Sequence, residues 1–215
     1  IFAQRHRFAA NVHDIERNHR GFFRGRFNSC GAGIFLFVRF FRHTKCVHNQ
    51  IKRIGVFVDH QLNWFGHPNW NINTTLSKDT LVGETIAENK ALGVTLSFAD
   101  TVYNEKNIFL RAVTVKNATD RARTVKLYFN HEFEIYESHR GDTVYFDPLH
   151  HVIVHYNGER VFLLNGASGL GGFDDYTTGI FKIEGKEGSF KDAEDGLLSK
   201  NYIEHGPTDS VIGFY

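Results

Sequence analysis

The sequence contains no methionine, only two cysteines and only three prolines among its 215 residues, and it begins at Ile1. Two cysteines are too few for a disulfide framework. It has no run of about 18 apolar residues, as a membrane-spanning helix requires, and no signal-peptide pattern near its start. These absences predict a protein without a membrane partner, with the cytosol as its expected compartment. The missing initiator residue predicts a fragment of a longer protein.

The chain also lacks a large charge of one sign, since 25 Lys and Arg balance 24 Asp and Glu to a net of +1. The balance is uneven, because residues 1–50 hold nine basic and two acidic residues, a net of +7, and residues 51–215 carry a net of −6. We therefore place a domain boundary near Gln50. A basic segment rich in phenylalanine can bind polyanions, but residues 1–50 show no hydrophobic period and no known module. No nucleic-acid partner is predicted.

Aromatic residues are abundant, at 14%, which favours sheets over helices. From Lys52 onward, alternation of apolar and polar residues predicts half-buried antiparallel strands over residues 53–59, 92–98, 109–116 and 124–133. Turn formers at residues 117–120 and the pair Asn157-Gly158 predict hairpins. The spacing of these strands predicts an all-β, antiparallel two-sheet sandwich over residues 51–215, with a short helical turn near residues 192–198.

The segment Arg53–Phe65, RIGVFVDHQLNWF, resembles the early strand and tryptophan-bearing turn of a known domain. This is the N-terminal domain of prokaryotic family 15 glycoside hydrolases, the glucoamylase, glucodextranase and trehalase-like enzymes. Further blocks resemble later parts of the same domain in the same order, at residues 79–100, 107–136, 141–147, 171–179, 188–196 and 208–214. No single block is a catalytic signature, and the specific feature is that they are collinear.

Upstream of Lys52 the resemblance decays. Residues 34–45 keep His43-Thr44-Lys45 but lack the proline and glycine of the family, and residues 1–33 match no part of it. We therefore interpret residues 1–50 as a mistranslated or degraded reading frame rather than an evolved arm.

The resemblance implies a galactose-mutarotase-like sandwich in a parent enzyme that hydrolyses α-glucosidic bonds with inversion, in maltooligosaccharides, dextran-like glucans or trehalose. Inversion needs two carboxylates on opposite sides of the bond. In the family they lie in an (α/α)6 barrel that follows this domain, and the sequence ends at Tyr215 before such a barrel. We therefore assign no catalytic residue and no cofactor, and expect the domain to pack on this barrel and frame its active site. A stand-alone carbohydrate-binding module and the vestigial product of a truncated gene remain alternatives.

Trp64 and Trp70 are the candidate sugar-contact residues, because they flank a turn and aromatic rings stack on the apolar faces of sugars. The alternative is that each tryptophan packs in the core or against the barrel.

Other residues that carry chemistry are interpreted as structural. Glu132 and Glu134 lie two apart on a predicted strand and are expected on a solvated face, because no neighbour in the sequence suggests a raised pKa. His150, His151 and His155 would need a third metal ligand. Cys30, His43, Cys46 and His48 do not have zinc-site spacing. No metal is predicted.

Overall fold

The computed structural model describes residues 33–41, 51–137, 140–169 and 171–215, without the side chains of residues 33–41, 51, 52, 104 and 137. The described residues form one compact unit, except for Pro148–His150, which are grouped apart from it. The predictions made for Cys30, His43, Cys46 and His48, and most of the interpretation of residues 1–50, lie outside the described residues.

Two antiparallel sheets form the unit. The larger has nine strands, in spatial order β13 (Ile203–His205), β9 (Thr143–Asp147), β10 (Val152–Asn157), β11 (Arg160–Ser168), β1 (Gly33–Phe41), β7 (Ile108–Asn117), β6 (Val94–Tyr103), β5 (Gly83–Asn89) and β4 (Asn71–Leu76). The smaller has five, in the order β12 (Asp175–Ile180), β14 (Thr208–Phe214), β8 (Val125–Glu132), β2 (Ile51–Val58) and β3 (Gln61–Trp64). Short 3-10 helices span η1 (Asn104–Lys106), η2 (Ile135–Glu137) and η3 (Ser189–Asp195). The predicted all-β two-sheet sandwich is confirmed.

The space between the sheets holds the main core. The alternation read from the sequence places the right residues there, since Val56 on β2 and Val94, Leu96 and Phe98 on β6 are all buried. Across the smaller sheet, Phe129 meets Phe214 edge to face at 5.8 Å between ring centroids. Such pairs add about 1 kcal/mol to the burial of their area, so this layer stabilises the pairing of β8 with β14.

The smaller sheet is also covered on its second face, which corrects the prediction of half-buried strands. Every residue of β14 is buried, as is every residue of β8 from Leu127 onward. The chain around η3 packs on this second face, where Ala193 and Leu198 join Tyr128 and Val211 in a separate hydrophobic cluster. We call this second face of the smaller sheet the outer face.

Strand β14 lies between two neighbours that are distant in sequence. It pairs with β12 on one side and with β8 on the other, where Asp209 stands opposite Glu132 and Ile212 opposite Phe129. The smaller sheet is therefore closed by residues far apart along the chain.

The hairpin predicted at Asn157-Gly158 is confirmed, with one difference. Asn157 is the last residue of β10 and pairs with Arg160, so the two central residues are Gly158 and Glu159. Gly158 has a φ of 53°, and glycine with positive φ at the first central position is typical of a type II′ turn. Asn157 instead donates its amide to Asp142 Oδ1 at 2.8 Å.

Strand β1 lies within the segment to which the sequence assigned no structure. It pairs with β11 through Ile34–Phe41 and with β7 through Gly33–Arg39. The domain boundary near Gln50 remains a prediction, and β1 lies on its N-terminal side.

Candidate functional site

A connected group of charged and polar side chains lies on the outer face. In β2, β8 and β14, the register sets Arg53 opposite Asn130 and Asp209 opposite Glu132. Alternate residues of a strand point to the same face, so these four side chains and the η3 residues above them form one group. We call Arg53, Asn130, Glu132, Ser189 and Asp209 the outer network.

Asp209, like Asn130, is fully buried in the outer network, with no exposed surface. Its Oδ2 accepts hydrogen bonds from Ser189 N at 2.8 Å, Ser189 Oγ at 2.7 Å and Asn130 Nδ2 at 2.9 Å. Burial raises the pKa of Asp209 above its usual value, and the hydrogen bonds from Ser189 and Asn130 only partly offset this effect. The carboxylate therefore ties the first residue of η3 to the middle of the smaller sheet.

Glu132 is 3% exposed and forms an ion pair with Arg53. The Arg53 guanidinium also donates to Asn130 Oδ1 at 3.3 Å and lies 4.2 Å from the ring centroid of Phe190. Burial raises the pKa of Glu132, and the positive charge of Arg53 opposes that rise. Glu134 is also buried and forms an ion pair with Lys182. The prediction of a solvated face for Glu132 and Glu134 is therefore wrong, because the chain around η3 covers it.

Two further buried carboxylates hold the chain in the same way. Asp142 accepts hydrogen bonds from Ile135 N at 3.4 Å and from Asn157 Nδ2 at 2.8 Å. Asp175 accepts one from the Tyr215 hydroxyl at 2.6 Å. The chemistry that these groups perform is the anchoring of turns and covering segments.

A buried histidine lies between the two sheets. His155 is 1% exposed, its Nε2 is 2.8 Å from Ser210 Oγ, and its ring lies 4.8 Å from that of Phe133. Burial lowers the pKa of His155 to about 3, so the ring is neutral at pH 7. His151 does not share a face of β10 with it, because His151 precedes the strand with a φ of 50° and its Nε2 lies 2.9 Å from the Phe173 carbonyl oxygen. Within the described ranges, no three His, Cys, Asp or Glu side chains are grouped as a metal site requires.

The two candidate sugar-contact residues lie in different clusters. Trp70 is 8% exposed in the core between the sheets, with its ring 4.5 Å from that of Phe65. Trp64 is half-buried on the outer face, edge to face with Phe190 at 6.1 Å. It lies so close to Gly55 that a Cβ there would come within 2.8 Å of its ring. The structure thus places Trp70 in the core, as the alternative held, and the pair does not form one platform. A sugar contact of Trp64 remains a prediction.

Trp70→Ala should therefore destabilise the fold by about 3–5 kcal/mol, as truncation of a buried large aromatic does. Trp64→Ala should cost less, about 2 kcal/mol, because part of that ring is already in water. Urea unfolding of both variants gives the comparison. An equal loss in both, or a larger loss for Trp64→Ala, would contradict these placements.

The outer network was missed because period-2 alternation identifies the two faces of a strand without showing what covers each. One signal was present in the segment TDSVIGF, where Asp209 alternates with the apolar Val211 on one face. A carboxylate on the same face as apolar residues indicates a buried, paired group more often than a solvated one.

No family model matches the chain. An uncharacterized glycosyl hydrolase from Methanocaldococcus jannaschii is 28% identical to it over 159 residues, which cover 73% of this chain and 24% of that protein. The crystal structure of a bacterial glucoamylase complexed with acarbose shares its fold with a TM-score of 0.56 and 13% identity, over 76% of this chain and 24% of that one. The chain thus spans about a quarter of the length of each. In the described part of the chain, no helix has the length and apolar character to cross a membrane. The sequence match and the structural match both support the resemblance predicted from the sequence. The chain is a β-sandwich similar to part of a glycosyl hydrolase, with a fold found in a bacterial glucoamylase.

Proposed function

We propose that the chain is the non-catalytic N-terminal β-sandwich domain of an inverting α-glucoside hydrolase of glycoside hydrolase family 15. It packs on an (α/α)6 catalytic barrel of the same parent protein and frames the active site. The parent substrate is an α-glucan or trehalose, and the domain itself needs no cofactor.

The main support for this proposal is that the sequence match and the structural match cover similar shares of both chains. About three quarters of this chain correspond to about a quarter of a glycosyl hydrolase by sequence, and to about a quarter of a glucoamylase by fold. A domain that recurs as one part of larger glycosidases is consistent with a supporting role.

The buried carboxylates agree with this role. A glycosidase needs one carboxylic acid with a raised pKa beside the sugar and a second carboxylate across from it. Glu132 and Asp209 do have raised pKa values. However, Glu132 is paired with Arg53, and Asp209 accepts three hydrogen bonds beneath η3. We infer that these carboxylates stabilise the domain rather than act on a substrate.

An assay of the 215-residue chain with maltooligosaccharides and trehalose tests the proposal. We expect no release of glucose, and we expect the protein recovered from its source to have a mass well above 24.7 kDa and to contain peptides from residues 51–215. Glucose release by the chain alone, lost in Glu132→Gln, would contradict the non-catalytic role. Sugar binding without hydrolysis, lost in Trp64→Ala and retained in Trp70→Phe, would instead favour a stand-alone carbohydrate-binding module.

A further inference from the structure

Strand β4 forms one edge of the nine-stranded sheet and is the most exposed strand of the described fold. All six residues, Asn71–Leu76, are exposed, including Ile72 at 45% and Leu76 at 74%. The strand contains no charged residue and no proline. Natural proteins protect their sheet edges with such residues, or with bulges or covering loops. Among the residues that the structure describes, β4 pairs with β5 in a continuous register without a bulge, and no strand pairs with its outer edge.

The other edges of the two sheets are shorter or covered. β13 has three residues and carries Glu204, and β3 has four. The edge of β12 is covered by the segment that contains Lys200 and Asn201, since Thr178 N donates to Asn201 O at 3.0 Å and Lys200 N donates to Tyr176 O at 3.1 Å. β4 is therefore the longest uncovered edge among the strands described.

The hydrogen bonds of the β4–β5 hairpin identify the backbone groups at this edge. Ser77 N donates to Val82 O at 2.9 Å, so this pair of residues is hydrogen-bonded. Bonded and non-bonded pairs alternate in an antiparallel ladder, so Leu76, Thr74 and Ile72 form non-bonded pairs with β5. The N–H and C=O groups of these three residues therefore point away from β5. The hydroxyls of Thr74 and Thr85 lie 3.0 Å apart, which agrees with the close approach of side chains in a non-bonded pair.

We propose that β4 pairs antiparallel with β4 of a second copy of this chain and joins two nine-stranded sheets edge to edge. Only one register about a two-fold axis uses all the edge groups of Ile72, Thr74 and Leu76. In this register Thr74 pairs with its own counterpart, and Ile72 pairs with Leu76 of the other copy on each side of the axis. Such a contact is isologous and closes as a dimer.

The side chains favour this register. Ile72 stands opposite the buried Ala87 and Leu76 opposite Gly83 on β5, so Ile72, Thr74 and Leu76 share the face that continues the core. The pairing sets the exposed Ile72 against Leu76 on that face, and polar Asn73 against Thr75 on the other. Because β4 carries no charge, no like charges meet between the paired strands, and the apolar side chains become buried. The uncharged, apolar edge is thus complementary to itself.

Sedimentation velocity of the 215-residue chain, from micromolar to sub-millimolar concentration, tests the dimer. We expect a concentration-dependent species of twice the 24.7 kDa mass of the chain. Thr74→Pro removes an N–H that β5 does not use, so the fold should persist while two intermolecular hydrogen bonds are lost. The association constant should then fall roughly 30-fold. Leu76→Lys should also weaken association, and Leu197→Lys, the same change at another exposed leucine, should not.

Cross-linking tests the register in a Cys30→Ser, Cys46→Ser background. Thr74→Cys should form an intermolecular disulfide, because the Cα atoms of a bonded pair lie about 5.5 Å apart. Thr75→Cys should not, because its nearest equivalent in the other copy is a diagonal neighbour at about 7–8 Å. A monomer at every concentration, a dimer unaffected by Thr74→Pro, or equal cross-linking at both positions would overturn the proposal.

Discussion

Replacement of Arg53 by methionine should lower the free energy of unfolding by about 3 kcal/mol at pH 8. The substitution leaves the Glu132 carboxylate buried without its cation, and breaking a buried ion pair from one side typically costs about 3–5 kcal/mol. The lower end applies because the Arg53 side chain is 28% exposed and water can reach the vacated position. Methionine keeps an apolar stem against Phe190, so most of this packing contact is preserved.

The loss caused by Arg53→Met should depend on pH. Burial already raises the pKa of Glu132 in the folded protein, and removal of Arg53 raises it further. An acid whose folded pKa is raised destabilises the fold increasingly as the pH rises from its unfolded pKa to its folded pKa, and by a constant amount above the folded pKa. The variant should therefore be less destabilised at pH 5 than at pH 8 in urea unfolding.

A second substitution separates this cause from lost packing. Glu132→Gln in the Arg53→Met background removes the unpaired charge and should recover most of the loss at pH 8. An equal loss at both pH values, with no recovery by Glu132→Gln, would show that Arg53 stabilises the fold by contact with Phe190 rather than by its charge.

Acidification should destabilise the fold through His155 by about 1.4 kcal/mol per pH unit below pH 6.5. The folded pKa of about 3 lies below the usual histidine pKa of 6.5, so the unfolded chain takes up a proton that the folded chain resists. The stability from a neutral His155 is therefore fully present above pH 6.5 and is lost as the pH falls toward 3. The loss from this residue should reach about 3 kcal/mol at pH 4.

Urea unfolding of His155→Gln and the unsubstituted chain between pH 7 and pH 4 measures this effect. A neutral amide keeps a hydrogen-bonding group near Ser210 but cannot titrate, so the stability gap between the two proteins should narrow as the pH falls. The difference also cancels the raised pKa values of Glu132 and Asp209, which act with the opposite sign. His67→Gln, at an exposed position, is the control. A gap that stays constant with pH would contradict the burial of a neutral His155.

The strands and the sandwich were predictable because the alternation of apolar and polar residues, in segments such as residues 92–98, indicates which side chains face the core. The prediction failed where a distant segment covers the second face. Ser189, 57 residues beyond Glu132 in the numbering, begins the segment that covers the outer network, and no local pattern indicates that contact. His155 was missed for a related reason. A histidine among apolar residues has the same sequence pattern on a covered and on an open face, and the residues that bury His155, Phe133 and Ser210, are distant in the sequence.

The position of β14 sets the order in which this domain can form during synthesis. The strand lies between β12 and β8, and it supplies Asp209, which holds η3 on the sheet. The smaller sheet cannot close until residues 208–214 have left the ribosome, so the edge of β8 that does not face β2 stays unpaired while about 80 further residues are made. Sheets that depend on such non-local pairing fold slowly and expose strand edges meanwhile. A ribosome-bound chain halted before β14 should therefore be a substrate for chaperones, whereas one released beyond it should not.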